Sequence, residues 1–172
     1  MVEKSEIKKS FPELKWIKDE KLRDQVVDVW KRAVDFRGWK SLDDIPFTLL
    51  FENSGRLVDH TRRVANLAKI ILDSRNEDLN GDHLIAGALL HDVGKVVEYE
   101  EKNGKVIKSE YGEIFRHPVS GSKLAWECGL PDEVVLIIYA HSHEGDKCKR
   151  SAESIIVHHC DFIDFGIRKS LA

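Results

Sequence analysis

The chain has 172 residues, of which 42% are hydrophobic and 33% charged, and its formal net charge is −3. A chain of this size and composition is typical of one globular domain with a single buried core. The near-neutral charge excludes the strong overall basic field of many nucleic-acid-binding proteins.

The sequence has no segment that is typical of membrane insertion or export. Its longest apolar runs are far shorter than the roughly 20 residues of a membrane-spanning helix, and its first residues lack the apolar core of a signal peptide. Cys128, Cys148 and Cys160 form no C-x-x-C pair, which argues against a disulfide framework or a structural zinc site. We therefore expect a cytoplasmic protein without a membrane partner.

Residues 1–50 are predicted to be helical, with interruptions. Apolar residues recur at helical spacing among many charges over residues 13–36. Pro12 suits the start of that helix and Gly38 its end. Because no side chain here indicates chemistry, we interpret residues 1–50 as a helical cap within the same domain, or as part of a contact in a homo-oligomer.

A strongly amphipathic helix is predicted over residues 57–73. His60 interrupts its apolar face. A single histidine in that position is more often a hydrogen-bonded core residue than a ligand. Arg62 and Arg63 point elsewhere and are expected to face solvent, with a phosphate contact as the alternative.

The next helix is apolar and ends in His91 and Asp92, two residue types that bind metals. Leu84, Ala88 and His91 occupy positions i, i+4 and i+7, so His91 lies on the buried face. Asp92 is about 100° further round the helix. A carboxylate there is costly to bury unless it is paired or coordinated.

Turn and cap residues predict the limits of this helix. Asp82, in the turn Asn80-Gly81-Asp82, suits its N-cap, and Gly94 suits its C-cap. Further on, Asn103-Gly104 separates the β-prone stretches Val96-Val97-Glu98-Tyr99 and Val106-Ile107-Lys108, which predicts a small hairpin beside the site.

The C-terminal third is predicted to form three helices. The first begins at His117-Pro118 and ends before Gly129, and the second begins after Pro131. Its inward face carries His141, and His143 follows in a polar loop. The last helix begins near Ser151 and places Asp161 in an otherwise apolar line.

Polar residues therefore interrupt the inward faces of several helices. The candidates are His60, His91, Asp92, His117, His141 with His143, and Asp161. Converging imidazoles and carboxylates are typical of a metal site, because coordination satisfies buried nitrogens and neutralises buried carboxylates.

Taken together, these pieces resemble the HD-domain superfamily of metal-dependent phosphohydrolases in its "HDxGK" form. The matching motifs are His60-Thr-Arg-Arg-Val-Ala, His91-Asp92-Val93-Gly94-Lys95, His117-Pro118-Val119-Ser120-Gly121, Ile138-Tyr-Ala-His141 and His159-Cys160-Asp161. The resemblance implies an all-α helical bundle around a metal centre. It places the HD domain at residues 51–172, with the hairpin as a decoration.

The resemblance also implies a ligand set and a reaction. His60, His91, Asp92 and Asp161 would hold a first metal, and His117 and His141 a second, with Asp92 bridging. Whether His141 or His143 is the ligand stays open, and His141 is preferred. Such ligands suit one or two divalent ions of Mn, Fe, Co, Ni or Zn, and metal-bound hydroxide would attack phosphorus.

The implied catalytic residues are Asp92, Lys95 and His143. Lys95 would neutralise phosphate charge, although a helix-dipole role is an alternative, and His143 would contact substrate or transfer a proton. The expected substrate is a small, nucleotide-like phosphomonoester or cyclic phosphodiester rather than a large nucleic acid. A di-iron oxygenase and a non-catalytic, metal-stabilised regulatory module are the alternatives.

Overall fold

The structure is a computed structural model, and it describes residues 2–172. The helices are α1 (Lys4–Ser10), α2 (Glu20–Arg37), α3 (Leu57–Asp73), α4 (Gly81–Leu90), α5 (Lys95–Glu98), α6 (Glu110–Ile114), α7 (His117–Glu127), α8 (Asp132–Ala140) and α9 (Ala152–Ser170). An antiparallel hairpin pairs β1 (Tyr99–Lys102) with β2 (Lys105–Lys108). The predicted all-α class with a hairpin decoration is confirmed.

Helix α4 lies at the centre of the bundle. Every residue from Leu84 to Leu90 is buried, as expected for a helix that is apolar on all sides. Helices α2, α3, α8 and α9 pack around it. The C-terminal end of α4 therefore lies in the middle of the bundle, where side chains from several helices meet.

The N-terminal prediction was wrong at its start. The chain from Pro12 to Trp16 forms a 3-10 turn, and α2 begins only at Glu20. The reason is a cap: the Asp19 side chain accepts a hydrogen bond from the Leu22 N–H at 3.1 Å. The end of α2 is as predicted, with Gly38 in the left-handed conformation.

Asp82 does not cap α4, contrary to the sequence prediction. The Asn80 side chain accepts the cap hydrogen bond from the His83 N–H at 3.0 Å. The Asp82 carboxylate instead accepts from the backbone N–H groups of Lys18 (2.9 Å) and Asp19 (2.8 Å). It thereby joins the segment before α2 to the start of α4.

Two tryptophans of the N-terminal region contact the chain on either side of the His91-Asp92 turn. The buried Trp30 indole donates to the Leu89 carbonyl at 3.0 Å. The Trp39 indole donates to the Val96 carbonyl at 2.8 Å. Both carbonyls are buried, so these donors satisfy acceptors that water does not reach.

Gly94 does not act as the predicted left-handed C-cap of α4. Its φ and ψ are −62° and −23°, and the cap residue is His91. Glycine is needed here for close packing, because a Cβ on Gly94 would lie 1.9 Å from the His117 carbonyl oxygen and 2.8 Å from the Gly121 nitrogen. The start of α7 therefore packs directly against the Gly94 backbone.

The predicted hairpin is present, with Asn103 and Gly104 at positive φ (54° and 74°) in its turn, as a tight hairpin turn of this kind requires. Its first strand begins at Tyr99 rather than Val96, because residues 95–98 form the helical turn α5. Among residues 2–172, no helix combines the length and apolar character needed to cross a membrane.

Candidate metal centre

The six side chains predicted as metal ligands meet at the end of α4. They are His60 on α3, His91 and Asp92 in the turn after α4, His117 at the start of α7, His141 at the C-cap of α8, and Asp161 on α9. The four histidines and Asp92 are buried, and Asp161 is partly exposed. Five helices therefore contribute to one cluster.

The first ligand group consists of His60, His91, Asp92 and Asp161, whose ligand atoms lie within 4.8 Å of one another. His60 Nε2 lies 3.3 Å from Asp92 Oδ2 and 3.2 Å from Asp161 Oδ1. His91 Nε2 lies 3.5 Å from Asp92 Oδ2. Two imidazoles and two carboxylates thus surround one point.

The second ligand group consists of Asp92, His117 and His141. His117 Nε2 and His141 Nε2 lie 3.3 Å and 3.6 Å from Asp92 Oδ1. Oδ1 therefore faces this group, while Oδ2 faces the first. Asp92 is shared by both groups.

Backbone carbonyls fix the tautomers of two histidines. His91 Nδ1 lies 2.7 Å from the Ala88 carbonyl oxygen, and His141 Nδ1 lies 2.6 Å from that of Ile138. Because a carbonyl only accepts, each Nδ1 carries the hydrogen. In the neutral rings, each Nε2 then presents a lone pair to the cluster.

The donor set fits a bound cation. His141 Nε2 is buried and lacks a hydrogen-bond partner among the described residues. The Nε2 atoms of His60 and His91 lie 3.0 Å apart. Because the Nδ1 hydrogen of His60 is directed to Asp164 Oδ2 at 2.6 Å, two neutral rings would place their Nε2 lone pairs against each other, so a positive charge is needed between them. A proton on His60 or a metal ion supplies that charge. Two nitrogens at right angles on one ion, each at about 2.1 Å, also lie roughly 3 Å apart.

Asp92 is held ionised by a neighbouring cation. Lys95 Nζ donates to Asp92 Oδ2 at 2.6 Å and to the Phe47 carbonyl at 3.0 Å. Burial alone would raise the pKa of Asp92, but the Lys95 ammonium and the nearby histidines hold that pKa well below its ordinary value. The shared carboxylate is therefore available as a ligand.

The pKa values of the two histidines in the first group are shifted in opposite directions. Burial lowers the pKa of His91 to about 4. Burial also opposes a charge on His60, but hydrogen bonds to Asp161, Asp164 and Asp92 outweigh it and raise that pKa to about 9. Without a metal, the proton of the cluster therefore resides on His60.

We predict that the metal-free protein loses stability between pH 6.5 and 9. His60 binds its proton more tightly in the folded chain than at its ordinary pKa of 6.5. The resulting stabilisation is complete below pH 6.5 and disappears as the pH rises through about 9. Melting temperatures measured with a chelator across this range would reveal the decline.

His60→Gln should flatten that pH dependence, because it removes the titrating ring. His159→Gln is the matched control, since His159 is an exposed histidine on α9. If His60→Gln and the parent protein lose the same number of degrees between pH 6.5 and 9, His60 is not the group responsible.

His143 lies outside both ligand groups. It is in the 3-10 turn His143–Gly145 with 79% of its side chain exposed, and its Nδ1 is 3.2 Å from Asp146 Oδ2. Of the two alternatives considered from the sequence, the structure brings His141 into the cluster. His158 is placed behind it, with Nδ1 2.6 Å from the His141 carbonyl.

Arg62 and Arg63 reach the solvent, as the sequence predicts, but both side chains also pair with buried carboxylates. Arg62 Nε donates to the buried Glu13 at 2.9 Å. Arg63 Nε and Nη2 donate to the two carboxylate oxygens of Asp164 at 2.6 Å and 3.0 Å. Both side chains therefore neutralise carboxylates beneath the surface.

A cavity of about 500 Å³ opens beside the cluster. Asp92, Asp161 and His117 lie in its wall, and His143 is at its side. The remaining lining is made mainly of cations with aromatic and aliphatic groups, together with Thr48, Ser142 and the Glu98 carboxylate. It includes Lys95, Lys108, Arg116, Lys169, Tyr99, Phe162, Phe165, Leu49 and Leu50. The cavity can accept a small anionic molecule with an apolar part.

Two carboxylates behind the cluster were missed from the sequence. Asp164 Oδ2 lies 2.6 Å from His60 Nδ1, and Glu98 Oε2 lies 3.1 Å from His117 Nδ1. Asp164 could have been found, since it is three residues after Asp161 and so shares a helix face with it. Glu98 carries no comparable signal, because it is in a four-residue helix next to the hairpin.

The model of the HD domain family matches residues 57–166. Dihydroneopterin 2',3'-cyclic phosphate phosphodiesterase of Methanocaldococcus jannaschii is 29% identical over 167 residues, which cover 88% of this chain and 66% of that protein. Ribonuclease Y of Rubrobacter xylanophilus is 33% identical over 106 residues, which cover 60% of this chain and 17% of that protein. The chain thus spans just under two thirds of the first relative and a much smaller part of the second. No solved structure is significantly similar to the chain.

Proposed function

The chain belongs to the HD domain family, and on that premise we propose that it is a metal-dependent phosphohydrolase that cleaves a phosphate ester of a small, nucleotide-like molecule. The observation that carries the proposal is the position of Asp92. It joins two histidine-rich ligand groups at the wall of a cavity that suits a small molecule.

We assign the six clustered residues as metal ligands. His60, His91, Asp92 and Asp161 would hold one ion, and Asp92, His117 and His141 a second. Imidazole-rich sites with carboxylates suit Mn, Fe, Co, Ni or Zn. A divalent ion there would act as a Lewis acid and lower the pKa of a coordinated water.

The chain's own side chains would orient and neutralise the substrate. Lys95 keeps Asp92 ionised and adds positive charge to the cavity wall, which favours a phosphoryl group. Arg116 and Lys108 line the same cavity and would contact phosphate oxygens. His143, at the cavity's side, is our candidate for protonating the leaving group.

A cyclic phosphodiester is the substrate class that we favour. The relative from Methanocaldococcus jannaschii is named for a 2',3'-cyclic phosphate. A cavity of about 500 Å³ accommodates a molecule of that size but not a long polynucleotide. Phe162 and Phe165 in its wall would pack against a flat heterocycle.

Two further assignments go with this proposal. Residues 1–50 would act as a helical cap of the same domain as residues 51–172, or take part in a homo-oligomer contact. A reducing, cytoplasmic environment suits the three free cysteines.

The proposal is tested by ester hydrolysis with defined metals. The protein is stripped with a chelator and supplied with Mn, Co, Ni, Zn or Fe(II). It is then given p-nitrophenyl phosphate, bis-p-nitrophenyl phosphate and a nucleoside 2',3'-cyclic phosphate. We expect metal-dependent turnover, with the cyclic diester preferred over the monoester by roughly tenfold or more in kcat/KM, about 1.4 kcal/mol.

A protein that binds metal but cleaves none of these esters would contradict the proposal. Oxygen consumption by the Fe(II) form would then identify the di-iron alternative. Metal binding that raises the melting temperature without any turnover would favour the regulatory module.

A further inference from the structure

A buried carboxylate fixes the outward-facing nitrogen of His60. Asp164 Oδ2 lies 2.6 Å from His60 Nδ1, on the side away from the cluster. The carboxylate is itself held by the Arg63 guanidinium through two hydrogen bonds of 2.6 Å and 3.0 Å. His60 and Arg63 are three residues apart on α3, and Asp161 and Asp164 are three apart on α9. One face of α3 therefore contacts one face of α9 through these four side chains.

A second carboxylate has the same place behind His117. Glu98 Oε2 lies 3.1 Å from His117 Nδ1 and accepts the backbone N–H of His117 at 2.6 Å. Glu98 is buried, at the end of α5. One oxygen thus fixes both the ring and the main chain at the start of α7.

The other two clustered histidines, His91 and His141, are hydrogen-bonded to uncharged groups. The outward-facing nitrogens of His91 and His141 donate to backbone carbonyls three residues earlier in their own helices. These two hydrogen bonds depend only on the local structure at the end of each helix. Each ligand group therefore contains one histidine fixed by its own helix and one fixed by a carboxylate from elsewhere in the fold.

We propose that Asp164, anchored by Arg63, and Glu98 are positioning residues that set the metal affinities of the two ligand groups separately. This inference rests on the ligand assignment made under the proposed function. Asp164 would act on the first group through His60, and Glu98 on the second through His117. Neither is a ligand, because each carboxylate contacts the nitrogen that faces away from the cluster.

The physical reason is that a carboxylate partner fixes the ring's orientation and increases the electron density of the ligating nitrogen. Removing the charge of such a partner typically weakens metal binding 10–100-fold. Because Asp164 and Glu98 contact different histidines, each loss should stay within one group. A purely structural role would instead weaken both groups together.

The test measures each group alone by calorimetric titration of Mn²⁺ or Co²⁺ into chelator-stripped protein. His141→Ala is the background that leaves the first group complete and the second with two ligands, and the double variant His91→Ala/Asp161→Ala is the background that leaves the second group complete and the first with two. Asp164→Asn should weaken binding about 10–100-fold in the first background and less than twofold in the second. Glu98→Gln should show the reverse pattern.

The chain offers matched controls on α3. Arg63→Gln should weaken only the first group, and Arg63→Lys should restore part of the loss. Arg62→Gln should change neither group, although Arg62 also pairs with a buried carboxylate, that of Glu13. Melting temperatures of the stripped variants identify any that fail to fold.

Equal losses in both backgrounds, or no loss in either, would overturn the inference. The titration needs no ester, so it separates this inference from the proposed activity. A parent protein that binds metal but hydrolyses nothing contradicts the activity alone. A parent protein that binds no divalent metal contradicts both.

Discussion

Asp92→Ala is expected to reduce metal-dependent ester hydrolysis by on the order of 10³-fold or more. Asp92 is the residue that both ligand groups share, with Oδ2 facing one and Oδ1 the other. Removing a single charge-stabilising group from an active site commonly costs 10²–10³-fold, and this substitution affects both ion positions. The measurements are kcat with Mn²⁺ or Co²⁺ and the metal content per chain.

Asp92→Ala also leaves the buried Lys95 without its carboxylate partner, which is itself destabilising. Asp92→Asn, which keeps the size of the side chain, should therefore be measured beside it. Asp78→Ala is the control, since Asp78 is exposed in the connection before α4. If a folded Asp92→Asn protein kept full metal content and turnover, Asp92 would not be a metal ligand.

Gly94→Ala is expected to destabilise the fold by roughly 3 kcal/mol, which corresponds to a fall of about 10 °C in melting temperature. The backbone angles at Gly94 suit any residue. The cost comes from overlap, because the new Cβ would meet the His117 carbonyl oxygen at 1.9 Å. Since that carbonyl belongs to backbone, the start of α7 must shift and move the His117 ring away from Asp92.

Gly166→Ala is the matched control. Gly166 is a helical glycine of α9, and an added Cβ there would have no atom within 4 Å apart from the neighbouring backbone of its own helix. Alanine there should stabilise the protein by about 0.5–1 kcal/mol through its higher helix propensity. Equal melting temperatures for Gly94→Ala and the parent protein would show that the contact between Gly94 and α7 is not close.

Periodicity and turn chemistry predicted the elements whose structure is decided locally. The helix over residues 57–73 and the turn at Asn103-Gly104 depend on neighbours within a few residues, and both are present. The helix ends assigned to Asp82 and Gly94 were wrong for a common reason. Each residue fits the local rule, but a contact with a distant segment determines its conformation or its partner.

The residues of the candidate site also differ in how far the sequence predicts them. Its six clustered residues were identified because a polar residue on an apolar helix face, or within a recognisable motif, is visible in the sequence. Glu98, Arg63 and Asp164 are charged residues in places where charges are ordinary, so their function depends on partners about 19 to 104 residues away. Although the spacing from Asp161 marks Asp164 as a candidate, only the packing of α3, α5, α7 and α9 shows which side chain each of the three residues contacts.

The indole hydrogen bonds of Trp30 and Trp39 indicate how far the N-terminus of this protein can be truncated. The family match begins at residue 57, yet these two tryptophans satisfy carbonyls on either side of the His91-Asp92 turn. A fragment trimmed to the matched residues would lose both indole donors and uncover the apolar side of α4 on which α2 packs. We infer that the evolutionary unit recognised by the family pattern is smaller than the unit that folds. A truncated version made for expression or for domain fusion should therefore keep the first 50 residues.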